Sequence, residues 1–226
     1  MADTVVVTGG SGGLGGAVVR RLVTDGWRVV VPDLAAPRSP VDGVSYVSVD
    51  LFSPTDVSSV VSDAASDVDR PLRAVVNLVG GYSANGLVHE TPIDDFEAQL
   101  RLNLRPTYLV CAAALPFLMA AGGGSIVCVS TRAAVRPFSG AAGYVTAKAA
   151  VLALVDALAV EYRQAAVRAN AILPSVIDTP ANRASMPNAS FDTWVKPEEI
   201  AEVIAFLCSD ASAVTSGAHI PVYGRA

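Results

Sequence analysis

Charge and aromatic side chains are scarce in this sequence: 16% of its 226 residues are charged and 6% aromatic, against 52% hydrophobic. So few charges cannot solvate a broad free surface, which points to deep burial inside one core or between subunits. Its 16 Lys and Arg are outnumbered by 21 Asp and Glu, for a net charge of −5, and basic residues form no run. That excludes a nucleic-acid binder, which needs a concentrated basic face. Cysteine is rare. Cys111, Cys128 and Cys208 stand in apolar surroundings without Cys-x-x-Cys or Cys/His spacing, as buried thiols do in a reducing compartment. The only histidines, His89 and His219, lie far apart without a partner motif; neither is assigned to catalysis, and no metal is expected. The longest apolar stretch, after Lys148, is broken at Asp156 and Glu161, short of the about 18 residues of a membrane span. The opening "MADT" runs into "VVVTGG" with neither a basic n-region nor a cleavage site. The expectation is a cytoplasmic chain with no membrane partner.

What the chain does have is alternation. β-Branched runs at 4–8, 28–33, 44–50, 73–80, 124–130, 167–174 and 217–224 alternate with helical patterns. One helix follows the glycines after the first run, another occupies 53–65, and others occupy 91–122, 142–164 and 196–210. Ser53 is placed to cap its helix, with Pro54 at the first helical position. Pro106 and Pro116 are expected to bend or break the third helix. Strands that read as continuous apolar runs suit a parallel sheet covered on both faces. With no composition break, residues 1–226 read as one doubly wound α/β domain. The stretch 180–195, "PANRASMPNASFDTWV", is the one irregular insertion.

The chemistry-bearing residues fall at strand ends. "TGGSGGLGG" closes the first strand and opens a helix. Glycine lets backbone amides approach a diphosphate, and the helix N-terminus favours its charge. Asp33 ends the second strand, 18 residues past Gly15. A carboxylate there accepts from both ribose hydroxyls of an adenosine and repels a 2′-phosphate, favouring NAD(H) over NADP(H); nearby Arg38 works against that repulsion. Asp50 is either an adenine-edge contact or a plain turn residue. Tyr144 and Lys148 are four residues apart on an otherwise apolar helix, so they share a face. An ammonium beside a phenol lowers its pKa toward the range of a usable acid/base. Ser130 and Thr131 end the fifth strand, where a hydroxyl can meet developing oxyanion charge. Asn103 is a polar residue inside an apolar helix, where its amide must find partners.

Thr8-Gly9-x-x-x-Gly13-x-Gly15, Asp50, Asn77, Asn103, Ser130-Thr131, Tyr144-x-x-x-Lys148 and "PEEIAEVIAFLCSD" together resemble the short-chain dehydrogenase/reductase family across essentially the whole chain. The resemblance implies a seven-stranded Rossmann fold and a hydride-transfer site for a small carbonyl or alcohol substrate. It implies Tyr144 as general acid/base, and Lys148 as the residue that holds the nicotinamide ribose and depresses the tyrosine pKa. Asn103 would hold a water in a proton relay. Cofactor contacts are implied at Gly9, Ser11, Gly12, Gly13, Leu14, Gly15, Asp33, Asp50, Leu51, Asn77, Gly80, Tyr144, Lys148, Pro174, Ile177 and Thr179.

Three positions depart from the family pattern. Asn77-Leu78-Val79-Gly80 stands where the family carries Asn-Asn-Ala-Gly, and Pro174-Ser175 where it carries Pro-Gly. Thr131 lies 13 residues before Tyr144, where the family has its serine; Thr131 is taken as the catalytic hydroxyl, with Ser130 as the alternative. Trp194 and Met186 either line a substrate pocket or pin the insertion. Arg132, Arg136 and Arg183 leave an anionic substrate open. The apolar helix from Tyr144 to Tyr162 suggests burial against another subunit, in a tetramer or dimer. A silent NAD-binding sensor or scaffold, and a lyase or isomerase on the same fold, are the competing functions.

Overall fold

The β-branched runs do become strands, in a computed structural model that describes residues 3–35, 37 and 39–225. Arg38 lies outside the described residues. Strands β1 (Thr4–Thr8), β2 (Arg28–Asp33), β3 (Ser45–Ser48), β4 (Leu72–Asn77), β5 (Gly124–Val129), β6 (Val167–Pro174) and β7 (His219–Val222) form one sheet, in the order β3-β2-β1-β4-β5-β6-β7. Every neighbouring pair is parallel. Six α-helices cross between the strands: α1 (Gly15–Thr24), α2 (Pro54–Ala65), α3 (Ile93–Ala120), α4 (Ala142–Glu161), α5 (Pro180–Ser185) and α6 (Pro197–Cys208). Strand order reverses beside β1, with β2 on one side and β4 on the other, so the crevice beyond the carboxyl ends of β1 and β4 is the switch point.

Alternation along each strand builds two cores. Val6, Val30, Val75 and Ile126 face one way, onto Val57 and Val61 of α2, Val110 and Leu118 of α3, and Val151 and Val155 of α4. Val5, Val7, Val29, Val31 and Val76 face the other way, onto Val18 and Leu22 of α1 and Ile200 and Ile204 of α6. With both faces covered, neither needs polar residues, which is why the strands read as unbroken apolar runs. Helices α3 and α4 have the length and mean hydropathy (1.3 and 1.6) of membrane spans. One side of each is packed on this sheet, and that burial accounts for much of their apolar composition.

The element boundaries show where local chemistry prevails over pattern. Ser53 caps α2, its hydroxyl accepting from the Asp56 amide at 3.3 Å. Strand β3 is shorter than its apolar run, because Asp50 turns the chain: its Oδ1 accepts from the Phe52 amide and its carbonyl from the Ser53 amide. Strand β4 stops at Asn77, where the Leu78 amide turns to the Thr8 carbonyl and hydroxyl. Helix α3 is the one long helix that its pattern implies, with no break at Pro106 or Pro116. Each proline removes one backbone donor, and the packing of α3 between α2, α4 and the sheet holds the helix together across both gaps.

Candidate active site

The glycine-rich loop is organised by a carboxylate. The Gly9 amide donates to Asp33 Oδ1 and the Ser11 amide to Oδ2, both at 2.8 Å. Gly12 N–H donates to the Gly9 carbonyl at 3.1 Å. The glycines are required by space. A Cβ on Gly15 would stand 2.1 Å from Gly9 O, and one on Gly13 would stand 2.9 Å from Thr179 Cγ2. Gly9 itself has φ +69°, a conformation open mainly to glycine. Among the described residues, the amides of Gly13 and Leu14 have no protein acceptor. They stand at the N-terminus of α1, a ready site for a diphosphate. Pro174 ends β6, and Thr179 follows on a segment that reaches back to this loop. Thr179 Oγ1 caps α5 by accepting from Asn182 N–H at 3.2 Å, leaving its own proton to donate. The Ile177 carbonyl is taken by Thr179 N–H and Asn182 Nδ2, each at 2.8 Å, while the Ile177 amide has no protein acceptor among the described residues. Donor amides, a ribose-level carboxylate and a glycine cradle fit a nicotinamide dinucleotide. Asp50 is exposed and keeps one carboxylate oxygen free beyond its turn. Leu51 buries its side chain in the core, so only its backbone is left to touch a ligand.

Asn77 is a correction. As a cofactor residue it would have to face the crevice, but β4 alternation sends it to the same side as Val75. Its side chain is buried, with Nδ2 3.4 Å from Cys111 Sγ and 3.7 Å from Cys128 Sγ. It packs beneath the site rather than lining it.

Helix α4 places Tyr144 and Lys148 together, and β5 brings Ser130 and Thr131 up beside them. The two hydroxyls separate cleanly. Ser130 is buried and donates to the Lys148 carbonyl at 2.8 Å, tying strand end to helix. Thr131 is the one near enough to the Tyr144 phenol to lower its pKa. Lys148 is only 5% exposed, and its Nζ donates to the Val129 carbonyl at 3.0 Å. Gly80 leaves room for it, since a Cβ there would lie 2.9 Å from Lys148 Nζ and 2.6 Å from Asn103 Oδ1.

Asn103, fully buried, clasps the loop after β4. Oδ1 accepts from Gly81 N–H at 3.1 Å, and Nδ2 donates to the Gly81 and Gln99 carbonyls at 3.0 and 3.1 Å. Both amide protons are committed, so the side chain ties α3 to this loop. The relation between phenol and ammonium differs from expectation. Burial raises the Tyr144 pKa, the Thr131 side chain draws it partly back, and Tyr82 raises it further. Lys148 is not among the groups that move it; the Lys148 ammonium faces the Val129 carbonyl, and burial brings its own pKa down to about 8.

Sequence reasoning missed Tyr82, whose ring stands edge-on to Tyr144, centroids 5.1 Å apart at 85°. The signal was available: an aromatic directly after Gly80-Gly81, at the carboxyl edge of the sheet, in a chain poor in aromatics. Trp194 is 8% exposed and stacks on Phe191 at 4.7 Å, so it pins the insertion. His219 Nε2 lies 2.9 Å from Asp156 Oδ1, and exposed His89 lies beside Glu90. A cavity of about 1040 Å³ opens instead at the amino ends of the strands, between Asp25, Arg73, Arg163 and Arg168. That is the wrong end of an α/β sheet for its ligand, and Arg168 there is already bound to Ser212, Leu207 and Ser209.

Lys148 sets a pH signature. Its folded pKa of about 8 lies below the ordinary 10.5, so between those values the unfolded chain binds the extra proton and stability rises with pH. Lys148→Met carries no such burden. Its stability relative to the wild type should fall by about 1 kcal/mol from pH 8 to pH 9, read from urea unfolding midpoints; a flat difference would mean an ordinary lysine.

A family model described as Enoyl-(Acyl carrier protein) reductase matches residues 9–224. The chain is similar to the 2-(R)-hydroxypropyl-CoM dehydrogenase of Xanthobacter autotrophicus, at 29% identity over 99% of this chain and 98% of that protein. Among solved structures, a short-chain type dehydrogenase/reductase from Mycobacterium ulcerans superposes with a TM-score of 0.89 at 26% identity, covering 99% of this chain and 89% of that one. The 3-ketoacyl-(acyl-carrier-protein) reductase of Brucella melitensis, complexed with NADH, superposes at 0.87 and 27% identity, over 99% and 98%. With a sheet of that order and a Tyr-x-x-x-Lys helix against its fifth strand, the chain belongs to the short-chain dehydrogenase/reductase family of oxidoreductases.

Proposed function

We propose that this protein interconverts a small carbonyl compound and its alcohol, with Tyr144 as the general acid/base. The observation that carries the reading is the Tyr144 phenol beside the Thr131 side chain at the carboxyl edge of the sheet, with Lys148 buried one helical turn below. A nicotinamide dinucleotide, when bound, supplies or accepts the hydride. In reduction Tyr144 gives its proton to the substrate oxygen, and a raised pKa keeps it protonated until that step while making it a weaker acid; in oxidation it takes one. The Thr131 hydroxyl shares that oxygen and stabilises charge developing on it. Lys148 holds the nicotinamide-side ribose, and Asn103 fixes the loop that closes this wall. Replacing Tyr144 by Phe should lower kcat about 10²–10⁴-fold while NADH titration stays unchanged, with turnover followed at 340 nm across ketones and aldehydes. Cofactor binding by the wild type without turnover of any substrate would favour the sensor reading. Turnover without net cofactor oxidation would favour a lyase or isomerase.

Asp33 supports NAD(H) over NADP(H). Its carboxylate is held by two amides at 2.8 Å, so it cannot swing aside for a 2′-phosphate without releasing the loop. The expected kcat/KM ratio of NADH to NADPH is at least about tenfold, a factor that one uncompensated charge contact readily supplies. A preference for NADPH would sink the assignment.

Burial of all three cysteines as free thiols is consistent with a reducing, cytoplasmic setting. A dimer or tetramer is inferred from the outer face of α3 and α4. Leu100, Leu104, Tyr108, Ala150 and Leu154 line a groove there, flanked by Arg101 and Arg105, with Tyr108 57% exposed. Light scattering should give a multiple of the 23.2 kDa chain mass, shifted toward monomer by Leu154→Asp; a monomeric wild type would overturn the assembly.

A further inference from the structure

Two aromatic side chains stand at this site with no core to fill. Tyr82 is 60% and Phe138 51% exposed, yet their rings face each other with centroids 6.2 Å apart, and Tyr82 leans on Tyr144. They come from different loops that are tied in place. Asn103 clasps Gly81. Leu102 crowds the same point, where a Cβ on Gly81 would meet its Cδ2 at 2.7 Å. Asn85 N–H donates to the Gly140 carbonyl at 3.1 Å, joining the Tyr82 loop to the Phe138 loop. Asn85 Nδ2 donates to Asp95 at 3.1 Å, anchoring both to the start of α3. Large apolar surface held rigid in solvent beside a proton donor is the mark of a surface completed by a ligand.

Two of the nearby cations are held by protein groups. Arg183 forms two hydrogen bonds to Asp178, at 2.5 and 2.8 Å, and stacks on Phe191. Arg132 lies over the Tyr223 ring at 5.2 Å. Of the three arginines that left an anionic substrate open, two are engaged with protein groups.

Building on the oxidoreductase reading, we propose that Tyr82 and Phe138 are specificity-determining residues that stack on the body of the substrate. The preferred substrates are then uncharged carbonyl/alcohol pairs whose reacting carbon bears an aromatic or flat cyclic apolar group. Offset and edge-on ring contacts of this kind favour aryl over alkyl partners of similar reactivity.

The test compares acetophenone, 4-acetylbenzoate and 2-butanone, reduced with NADH. The wild type should favour acetophenone over 2-butanone by about tenfold or more in kcat/KM, and 4-acetylbenzoate should gain nothing from its carboxylate. Tyr82→Ala and Phe138→Ala should each bring the aryl-to-alkyl ratio toward unity, mainly through KM, and Tyr82→Phe, which keeps the ring, should retain it. An unchanged ratio in both alanine variants, or a large gain with 4-acetylbenzoate, overturns the proposal. A second arm is independent of turnover: saturation-transfer NMR of the same ketones on the NADH complex of Tyr144→Phe, with and without Tyr82→Ala. If no carbonyl is reduced by the wild type, the oxidoreductase reading fails and this arm still decides. Acetophenone binding that is lost with Tyr82→Ala upholds the recognition surface, and equal binding of acetophenone and 2-butanone refutes it.

Discussion

An ammonium withdrawn from water must be given oxygens or lose its proton, and Lys148 is given a single backbone carbonyl, that of Val129 at 3.0 Å. Burial alone brings its pKa down to about 8, so near neutrality it stays charged by a narrow margin. Much of the surrounding structure exists to hold that margin. Ser130 takes the Lys148 carbonyl, fixing the helix that carries the amine against the strand that receives it. Gly80 must lack a side chain because Lys148 Nζ and Asn103 Oδ1 press on the same point. Asn103 in turn keeps the Gly81 backbone where it is. The lysine, the loop and the buried amide are one mechanical unit, and the phenol stands at its rim.

The cofactor side repeats the device with opposite charge. A carboxylate at the end of β2 collects two amides of the glycine loop, leaving the next two, Gly13 and Leu14, aimed outward at the start of α1. Asp33 thus shapes the loop, and on the proposed reading it would also face the ribose. A substitution there would disturb the loop along with any change in cofactor preference.

Much of this was legible in the sequence. Seven strands and five of the six helices follow from alternation and period, and the Ser53 cap from one hydroxyl before a proline; the sixth, α5, lies in the stretch 180–195 that reads as irregular, because six residues are too few to show a period. The long α3 was legible despite its two prolines, because packing along its length holds it together. Asn77 was misplaced although period-two alternation through Val75 already put it on the thiol side of the sheet. Spacing to Tyr144 favoured Thr131 and kept Ser130 as the alternative. Adjacent residues at a strand end point oppositely, and only the fold shows which one meets the phenol. The sign of the Tyr144 shift was missed for a related reason. An i to i+4 spacing brings two side chains onto one face, but the direction of the lysine beyond its Cβ depends on where an acceptor lies, and here the acceptor is Val129.

Burial raises the Tyr144 pKa, so in the unliganded protein the phenol keeps its proton. The balance is movable, since Tyr144 has no charged partner of its own. A positive nicotinamide ring would be such a partner, lowering the phenol pKa when the oxidised cofactor is present and leaving it high when the reduced one is. Phenolate, the form that can take a proton from an alcohol, would then be most accessible beside the oxidised cofactor, and the phenol, the form that can give one to an alkoxide, would persist beside the reduced cofactor. Leaving the tyrosine uncharged and poorly solvated lets the redox state of the bound dinucleotide, rather than a fixed side chain, set the direction of the proton.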